Sequence, residues 1–236
     1  MVSSHAVYEV PEILREYPVK VLSVTKVTHN VLKIITDKPA NYIFSPGQAT
    51  EIAINRSGWK KEKRPFTFTS LPTNDYLEFT IKIYPEHSDV TEQLPKLKRN
   101  DELILHDVFG AISYQGEGIF IAGGAGVTPF ISILRELQSR NEIGNNKLIF
   151  ANKTKADIIY EQELIRMLGP NFINILSLEK SEGYLHGQIT EDLIASTRIS
   201  KDEKFYLCGP PPMMNAIEKH LLNLKINRES IIRESF

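Results

Sequence analysis

Three short segments of the chain combine residue types that can do chemistry. The first, Arg64-Pro65-Phe66-Thr67, offers a guanidinium, an aromatic ring and a hydroxyl in close succession. The second, Gly123-Gly124-Ala125-Gly126-Val127-Thr128-Pro129, is a glycine-rich turn between an apolar run and a helical pattern. The third, Cys208-Gly209-Pro210-Pro211-Pro212-Met213, places a thiol beside a stiff proline run. These groups offer phosphate binding, ring stacking and the orientation of a planar ligand.

The first segment has the alternation of a β-strand. Arg64, Phe66 and Phe68 are expected on one face, and Thr67 and Thr69 on the other. Arginine binds phosphate through paired hydrogen bonds, phenylalanine stacks, and threonine hydrogen-bonds to a heteroaromatic edge, which together suit a flavin nucleotide. A barrel strand with a solvated arginine is the alternative that these residues leave open.

The glycine-rich turn allows a phosphate-bearing ligand to approach the backbone at a helix N-terminus. Gly124-Ala125-Gly126 begins like the dinucleotide-binding fingerprint, but Pro129 stands at the third glycine position. Asn152 and Lys153 stand at the end of the following strand, where an acidic residue would hold a ribose. A tight strand-to-helix connection without a ligand is the alternative.

Cys208 follows a buried-strand pattern, so we expect it at the ligand side of a parallel sheet. No histidine or second cysteine stands close to it in the sequence to activate it as a nucleophile. We interpret Cys208 as a small residue that packs at a strand end or lies beside a planar ligand, and covalent catalysis is the less favoured alternative.

The first part of the chain has the pattern of an antiparallel β-barrel. In its clearest strand, 76–83, apolar and polar residues alternate, which predicts one apolar and one polar face. A short helix is expected at 88–94, with Ser88 as its cap. The expected strands are 19–27, 31–36, 50–54, 64–69, 76–83 and 103–106.

From about residue 113 strands and helices alternate, which predicts a parallel sheet covered by helices on both faces. We therefore predict two domains, an antiparallel barrel over 1–112 and an α/β domain over 113–236. The expected strands of the second domain are 119–122, 148–151, 173–178, 205–208 and 230–233, and its expected helices are 127–139, 157–168, 190–196 and 211–224.

Composition narrows the class of protein. In 236 residues, 28 Lys and Arg stand against 29 Asp and Glu, which disfavours a nucleic-acid binder. One cysteine excludes, within this chain, a disulfide, a cysteine-ligated iron–sulfur cluster and a cysteine-rich zinc site, and the scattered histidines lack metal-ligand spacing. The start has no secretory pattern and no run suits membrane insertion, so we expect no metal and a cytoplasmic location.

In this order and spacing the three segments resemble the ferredoxin–NAD(P)+ reductase superfamily, and more narrowly flavodoxin or ferredoxin reductases and oxygenase reductase components. The resemblance spans 17–236. The family's flavin signature is Arg, any residue, Tyr, then Ser or Thr, and Phe66 replaces the tyrosine here. Supporting matches are Ser45-Pro46-Gly47-Gln48, Phe109-Gly110 and Asp157-Ile158-Ile159-Tyr160.

The resemblance implies that the barrel binds FAD, that the second domain binds NADPH or NADH, and that the flavin lies between the domains. Thr67 near flavin N5, Cys208 beside the nicotinamide and Glu234 as a proton relay would be the catalytic residues. The implied flavin-binding residues are Arg64, Pro65, Phe66, Thr67, Ile81, Lys82, Tyr84, Ser88, Val90, Thr91 and Phe236. The implied nicotinamide-nucleotide-binding residues are Gly124, Gly126, Thr128, Pro129, Asn152, Lys153, Cys208, Gly209, Pro210 and Met213.

Four positions bear on cofactor binding. Phe66 lacks the hydroxyl of the family's tyrosine, so we expect weaker flavin retention. Ser88 replaces the glycine usual at the pyrophosphate helix, which keeps FMN as the less favoured alternative to FAD. Lys153 and Lys155 stand where a 2′-phosphate would lie, which is compatible with NADPH and leaves the preference open.

The implied reaction is hydride transfer from NAD(P)H to the flavin, followed by transfer of single electrons to a separate acceptor, flavodoxin or ferredoxin. Basic residues before the flavin strand either steer an acidic acceptor or form a solvated loop. The other functions considered are an oxygenase reductase component, a free flavin or ferric reductase, and a non-catalytic nucleotide-binding regulatory module. The basic residues are Arg56, Lys60, Lys61, Lys63 and Arg64.

Overall fold

The computed structural model describes residues 15–83, 90–198, 200 and 202–234. Within these ranges the chain forms two sheets of six strands each. The first sheet is antiparallel, and the second is parallel and flanked by helices, so the expected two-part architecture is confirmed.

The antiparallel sheet has the strand order β4-β3-β6-β1-β2-β5. It closes towards a barrel because Phe68, just after β4, bridges Phe79 in β5. Phe44 stacks on Phe68 with ring centroids 4.2 Å apart, at the centre of an apolar core. Its strands are β1 Tyr17–Thr28, β2 Val31–Asp37, β3 Ala49–Ile54, β4 Arg64–Thr67, β5 Tyr76–Lys82 and β6 Glu102–Phe109, with the short helix α1 Val90–Gln93 before β6.

The parallel sheet has the strand order β10-β9-β8-β7-β11-β12. Helices α2 and α3 cover one face of it, and α4 and α5 cover the other, each through a separate apolar cluster. Its strands are β7 Gly118–Gly123, β8 Lys147–Asn152, β9 Phe172–Leu176, β10 Leu185–His186, β11 Lys204–Cys208 and β12 Ile231–Arg233. Its helices are α2 Thr128–Ser139, α3 Glu161–Leu168, α4 Glu191–Thr197 and α5 Pro211–Asn223.

Three elements of the second domain differ from the sequence prediction. The helix expected from residue 157 begins only at Glu161, because Thr154 and Asp157 close a separate turn and Tyr160 has a left-handed backbone, with φ 53°. The strand β10 was not predicted, since two residues are too short to show a period. β9 ends at Leu176, and the expected extension to residue 178 is absent.

Strand β5 has the predicted polar face, and this face is buried. Its residues do alternate, but Glu78 and Thr80 are as buried as their apolar neighbours. The polar face is covered because it packs against residues of the second domain, including Arg135 of α2 and Tyr160 before α3. Burial of this face joins the two domains.

Helix α2 makes a second contact between the domains. The buried amide of Gly47 donates a hydrogen bond of 2.9 Å to Oγ of Ser132, a fully buried residue of α2. Val31, in the β1–β2 hairpin, packs into the apolar cluster under α2 and α3. None of the helices in the described ranges combines the length and apolar character needed to cross a bilayer.

Replacing Ser132 with Ala tests the Gly47 contact. The change leaves a buried N–H without its acceptor, and we expect the free energy of unfolding to fall by about 1–3 kcal/mol. Urea denaturation followed by far-UV circular dichroism measures it. Ser139→Ala is the matched control, because Ser139 lies on the same helix, is exposed and bonds only within the helix, to Glu136. Equal effects of the two changes would contradict the predicted contribution.

Candidate active site

A cleft of about 590 Å³ lies between the barrel and the parallel sheet. One wall comes from the barrel and the other from the glycine-rich turn and the segment after β11. Both domains therefore contribute to a space of the size that holds a small-molecule cofactor. Its lining residues are Arg64, Pro65, Phe66, Thr67, Thr80, Ile81, Lys82, Thr91, Gly123, Ala125, Gly126, Thr128, Cys208, Gly209, Pro210 and Pro211.

A second cleft, of about 390 Å³, adjoins the first and shares Lys82, Gly123 and Pro210 with it. It lies beyond the carboxyl ends of the parallel strands, which is where open α/β sheets bind ligands. Its other lining residues are Gly124, Ala151, Asn152, Lys153, Asp157, Ser177, Gly187, Gln188, Ile189, Pro212, Met213, Ala216 and Ile217.

The barrel wall is built from β4 and β5. Arg64 is exposed at the start of β4, and its Nη1 donates to the carbonyl oxygen of Lys63 at 3.0 Å. Phe66 is partly buried against the barrel core, and Phe68 beyond it lies fully inside. Thr67 ends β4 at the cleft. The wall thus presents a cation, a ring and a hydroxyl in sequence order.

Gly124 and Gly126, which were expected to bind a ligand, have different roles in the structure. A Cβ on Gly126 would lie 2.3 Å from the carbonyl oxygen of Cys208, so this glycine allows two backbones to touch. Gly124 has φ +53°, and among the described residues the nearest atom to the position of an added Cβ is Nζ of Lys82, at 4.0 Å. Gly124 is therefore the position of the turn that is open to a ligand.

Thr128 and Pro129 are the first two residues of helix α2, but only Thr128 lines a cleft. The Thr128 hydroxyl donates to the carbonyl oxygen of Ala125 at 3.0 Å and lines the first cleft. Pro129 is buried and lines neither cleft, since it packs within the first turn of the helix. Val90 is likewise a core residue of the barrel, beside Thr91 of the cleft wall.

Cys208 ends β11 at the cleft and is partly exposed there. Burial raises the pKa of its thiol to about 12, and the carboxyl of Glu234 adds to the shift. The thiol is protonated at neutral pH, which agrees with a role in packing and alignment and not in nucleophilic attack.

Glu234 lies after β12, at the junction between the domains. Its Oε1 accepts a hydrogen bond of 3.0 Å from the backbone amide of Ala111. Partial burial raises the pKa of Glu234 above its ordinary value, against the lowering effect of that amide. The carboxyl therefore holds its proton to a higher pH than an exposed glutamate does.

Asn152 ends β8 in the second cleft and is buried. Neither its side-chain oxygen nor its side-chain nitrogen has a hydrogen-bond partner within the described residues. Because buried amide groups are costly unless they are paired, this side chain has the character of a ligand-binding group. Lys153 and Met213 line the same cleft.

Three of the implied flavin-binding residues, Tyr84, Ser88 and Phe236, lie outside the described residues. Sequence reasoning missed Thr80, which lines the first cleft, and Ser177 and Gln188, which line the second. Ser177 stands just after β9, so the rule that ligands bind at strand ends was a usable signal. Among the described residues, no group of three or more His, Cys, Asp or Glu side chains is arranged to hold a metal ion.

Two family models match the chain. The model of an FAD-binding domain matches residues 16–117, and the model of an oxidoreductase NAD-binding domain matches residues 120–219. The two matched segments correspond to the two sheets.

Two proteins that are similar in sequence to this chain are named as a reductase component and a reductase. The reductase component of propane 2-monooxygenase from Mycolicibacterium goodii is 29% identical, over 94% of this chain and 68% of the relative. NADH-cytochrome b5 reductase 1 from Neosartorya fischeri is 30% identical, over 83% of this chain and 70% of the relative. The chain spans 53% to 68% of the length of three matching propane 2-monooxygenase reductase components.

A solved structure has the same fold. The ferredoxin NADP+ reductase from Neisseria gonorrhoeae, with bound FAD and NADP, superimposes with a TM-score of 0.80 at 20% identity, over 93% of this chain and 98% of that one. With both domain models matched in order and a fold shared over nearly the whole length, the chain belongs to the ferredoxin–NAD(P)+ reductase superfamily, as an FAD- and NAD(P)-binding oxidoreductase.

Proposed function

We propose that this chain transfers a hydride from NAD(P)H to FAD and then passes electrons to a separate redox protein. The observation that carries the proposal is the continuous cleft that brings the Arg64–Thr67 segment opposite Cys208 and the glycine-rich turn. Neither wall alone could hold two ligands in contact. Alignment of two bound reactants is the main catalytic contribution that such a cleft makes.

The first cleft fits FAD by the chemistry of its lining. Arg64 would bind the phosphates, Phe66 would lie against the ring system, and Thr67 would hydrogen-bond to the ring edge. Thr91, buried at the start of α1, adds a hydroxyl on the same wall. When bound, FAD supplies the capacity to accept a hydride and to release electrons one at a time.

The second cleft fits the nicotinamide nucleotide. Hydroxyls of a ribose would pair the two buried side-chain atoms of Asn152 that otherwise lack partners. Lys82 and Lys153 supply positive charge for phosphates, beside the open position at Gly124. These lysines are compatible with NADPH and with NADH, and Asp157 in the same cleft adds one negative charge.

The residues between the clefts would align the reactants and handle protons. Cys208 offers a small, protonated side chain at the point where the cleft walls meet, and Gly126 keeps the glycine-rich turn pressed against its backbone. Glu234, with its raised pKa, would hold and release the proton that accompanies electron transfer. We propose Thr67, Cys208 and Glu234 as the catalytic residues on this basis.

The proposed acceptor is a separate electron carrier, with flavodoxin or ferredoxin as the first candidates. The relatives act as a monooxygenase reductase component and as a cytochrome b5 reductase, which supports a protein acceptor of some kind. The basic cluster is weaker than its sequence indicates, because Arg56 pairs with Asp101 and Lys63 pairs with Glu51. Lys60 and Lys61 are exposed and are the residues we propose for steering.

Anaerobic addition of NADPH or NADH to the FAD-loaded protein tests the central proposal. We expect bleaching of the flavin absorption, because the two clefts adjoin and would hold the donor against the flavin. The nucleotide that bleaches faster is the preferred donor. A bound flavin that neither nucleotide bleaches would contradict the proposal and favour a non-catalytic binding module.

Replacing Cys208 with Ala tests the alignment role. We expect the flavin reduction rate in stopped flow to fall on the order of tenfold, with flavin content unchanged, because a small cavity would loosen the contact between donor and flavin. Cys208→Ser is the matched control, since it keeps the size and a hydrogen-bearing atom, and we expect a smaller loss. An unchanged rate for the alanine variant would remove the role assigned to Cys208.

Salt dependence tests the acceptor site. Reduction of ferredoxin or flavodoxin should slow as ionic strength rises, because screening weakens steering by Lys60 and Lys61. The double variant Lys60→Ala, Lys61→Ala should lower the low-salt rate by about threefold or more. Lys219→Ala on α5 is the control, because Lys219 is exposed but lies outside the cluster. Reduction rates that do not change with ionic strength would favour a small-molecule acceptor such as free flavin or a ferric chelate.

A further inference from the structure

A closed set of polar contacts crosses the boundary between the domains, and we call it the interdomain circuit. Arg135 Nη1 lies 2.6 Å from Glu78 Oε1, and Glu78 Oε1 lies 2.9 Å from the Thr69 hydroxyl. The Thr69 and Thr80 hydroxyls are 3.1 Å apart, and the Thr80 and Tyr160 hydroxyls are also 3.1 Å apart. The circuit closes where the Arg135 guanidinium lies 5.0 Å from the centre of the Tyr160 ring.

The hydrogen bonds of the circuit run in one direction. Because the Glu78 carboxylate can only accept, the Thr69 hydroxyl donates to it, Thr80 donates to Thr69, and Tyr160 donates to Thr80. Burial raises the pKa of Tyr160 to about 12, with a further contribution from the charge of Glu78, so Tyr160 keeps its proton. Each of the three hydroxyl groups thus donates one hydrogen bond within the circuit.

Arg135 is held on its own domain by a second carboxylate. Its Nε and Nη2 donate to the two oxygens of Glu163 in α3, at 2.6 and 3.0 Å, while Nη1 also donates to the carbonyl oxygen of Thr69. Burial lowers the pKa of Arg135, but both carboxylates outweigh it, and the pKa lies above its ordinary value. Two hydrogen bonds to Glu163 fix the planar guanidinium of Arg135 within its own domain. The contact of this guanidinium with Glu78 therefore restricts the position of the barrel.

The circuit is connected to both walls of the first cleft. Thr80 lines that cleft itself, and it is followed in β5 by Ile81 and Lys82 of the same wall. Arg135 belongs to α2, whose first residue, Thr128, lines the opposite wall. The distance between the walls is therefore tied to the geometry of the circuit.

We propose that Arg135 is a positioning residue that sets the separation of the cleft walls through Glu78, Thr69, Thr80 and Tyr160. The proposal rests on the proposed function, because the walls are those that would hold the flavin and the nicotinamide nucleotide. The rate of hydride transfer is sensitive to displacements of about 1 Å between the two reactants, whereas the affinity of each ligand for its own wall of the cleft is less sensitive. Breaking the circuit should therefore affect the chemical step more than either affinity.

Two conservative variants separate the interdomain contact from the local one. Glu78→Gln weakens the pair that crosses the domain boundary, and Glu163→Gln weakens the pair that lies within one domain. In the FAD-loaded protein, we expect Glu78→Gln to lower the limiting rate of flavin reduction at saturating NADPH or NADH by about tenfold or more. The nucleotide Kd should stay within about twofold, and Glu163→Gln should keep most of the rate.

Hydrogen exchange gives a readout that does not depend on turnover. We expect faster amide exchange in β5 and at the start of α2 in Glu78→Gln, but not in Glu163→Gln, because only the former weakens a contact between the domains. Tyr160→Phe tests the circuit at a second contact, since it removes the Tyr160 hydroxyl that donates to Thr80 and leaves the ion pairs in place. It should also slow reduction, and its effect should be non-additive with that of Glu78→Gln.

The outcomes separate this inference from the proposed function. A wild-type protein that neither nucleotide reduces contradicts the proposed function, and the exchange measurement still decides whether the circuit fixes the domains. If the wild type is reduced, then unchanged rates in both Glu78→Gln and Tyr160→Phe overturn the positioning role. An equal loss in Glu163→Gln, or a rate loss explained by weaker nucleotide binding, overturns it as well.

Discussion

The contact between Arg135 and Glu78 is the constraint on which the rest of the structure depends. Both groups are largely buried, and buried charges are tolerated only when they are paired and hydrogen-bonded. Separation of the two domains would break this pair together with the hydrogen bond between Gly47 and Ser132, although Arg135 would keep its pair with Glu163. The cleft between the domains is therefore a stable feature of the fold, although no covalent feature other than the chain itself links its walls.

The glycine-rich turn and the cysteine segment form one structural unit. Gly126 lets the turn touch the backbone at Cys208, and a Cβ on Gly123 would lie 2.6 Å from Sδ of Met213 in the same segment. Two motifs that are distant in sequence thus depend on each other for shape. Their joint occurrence in this chain reflects mutual packing as much as contact with a ligand, since either segment would be displaced by a side chain on the other.

Much of the fold was predictable, because alternation along the barrel strands and buried runs in the parallel sheet are local signals. The segments at Arg64, Gly123 and Cys208 were predictable as site elements for the same reason. Arg135, Glu78 and Thr80 were not, since a polar face looks the same in sequence whether it meets water or another domain. The role of Gly126 in packing was equally hidden, because a close approach of two backbones is a property of the tertiary structure.

The protonated state of Cys208 has a consequence for chemical durability. Reduced flavins react with dioxygen and release peroxide, and peroxide oxidises thiolates much faster than thiols. Burial raises the pKa of this thiol to about 12, so it carries little thiolate at neutral pH, and it lines the cleft in which we propose that FAD binds. If FAD binds there, Cys208 would meet peroxide from the reoxidation of the flavin in its protonated form, which is the less reactive one.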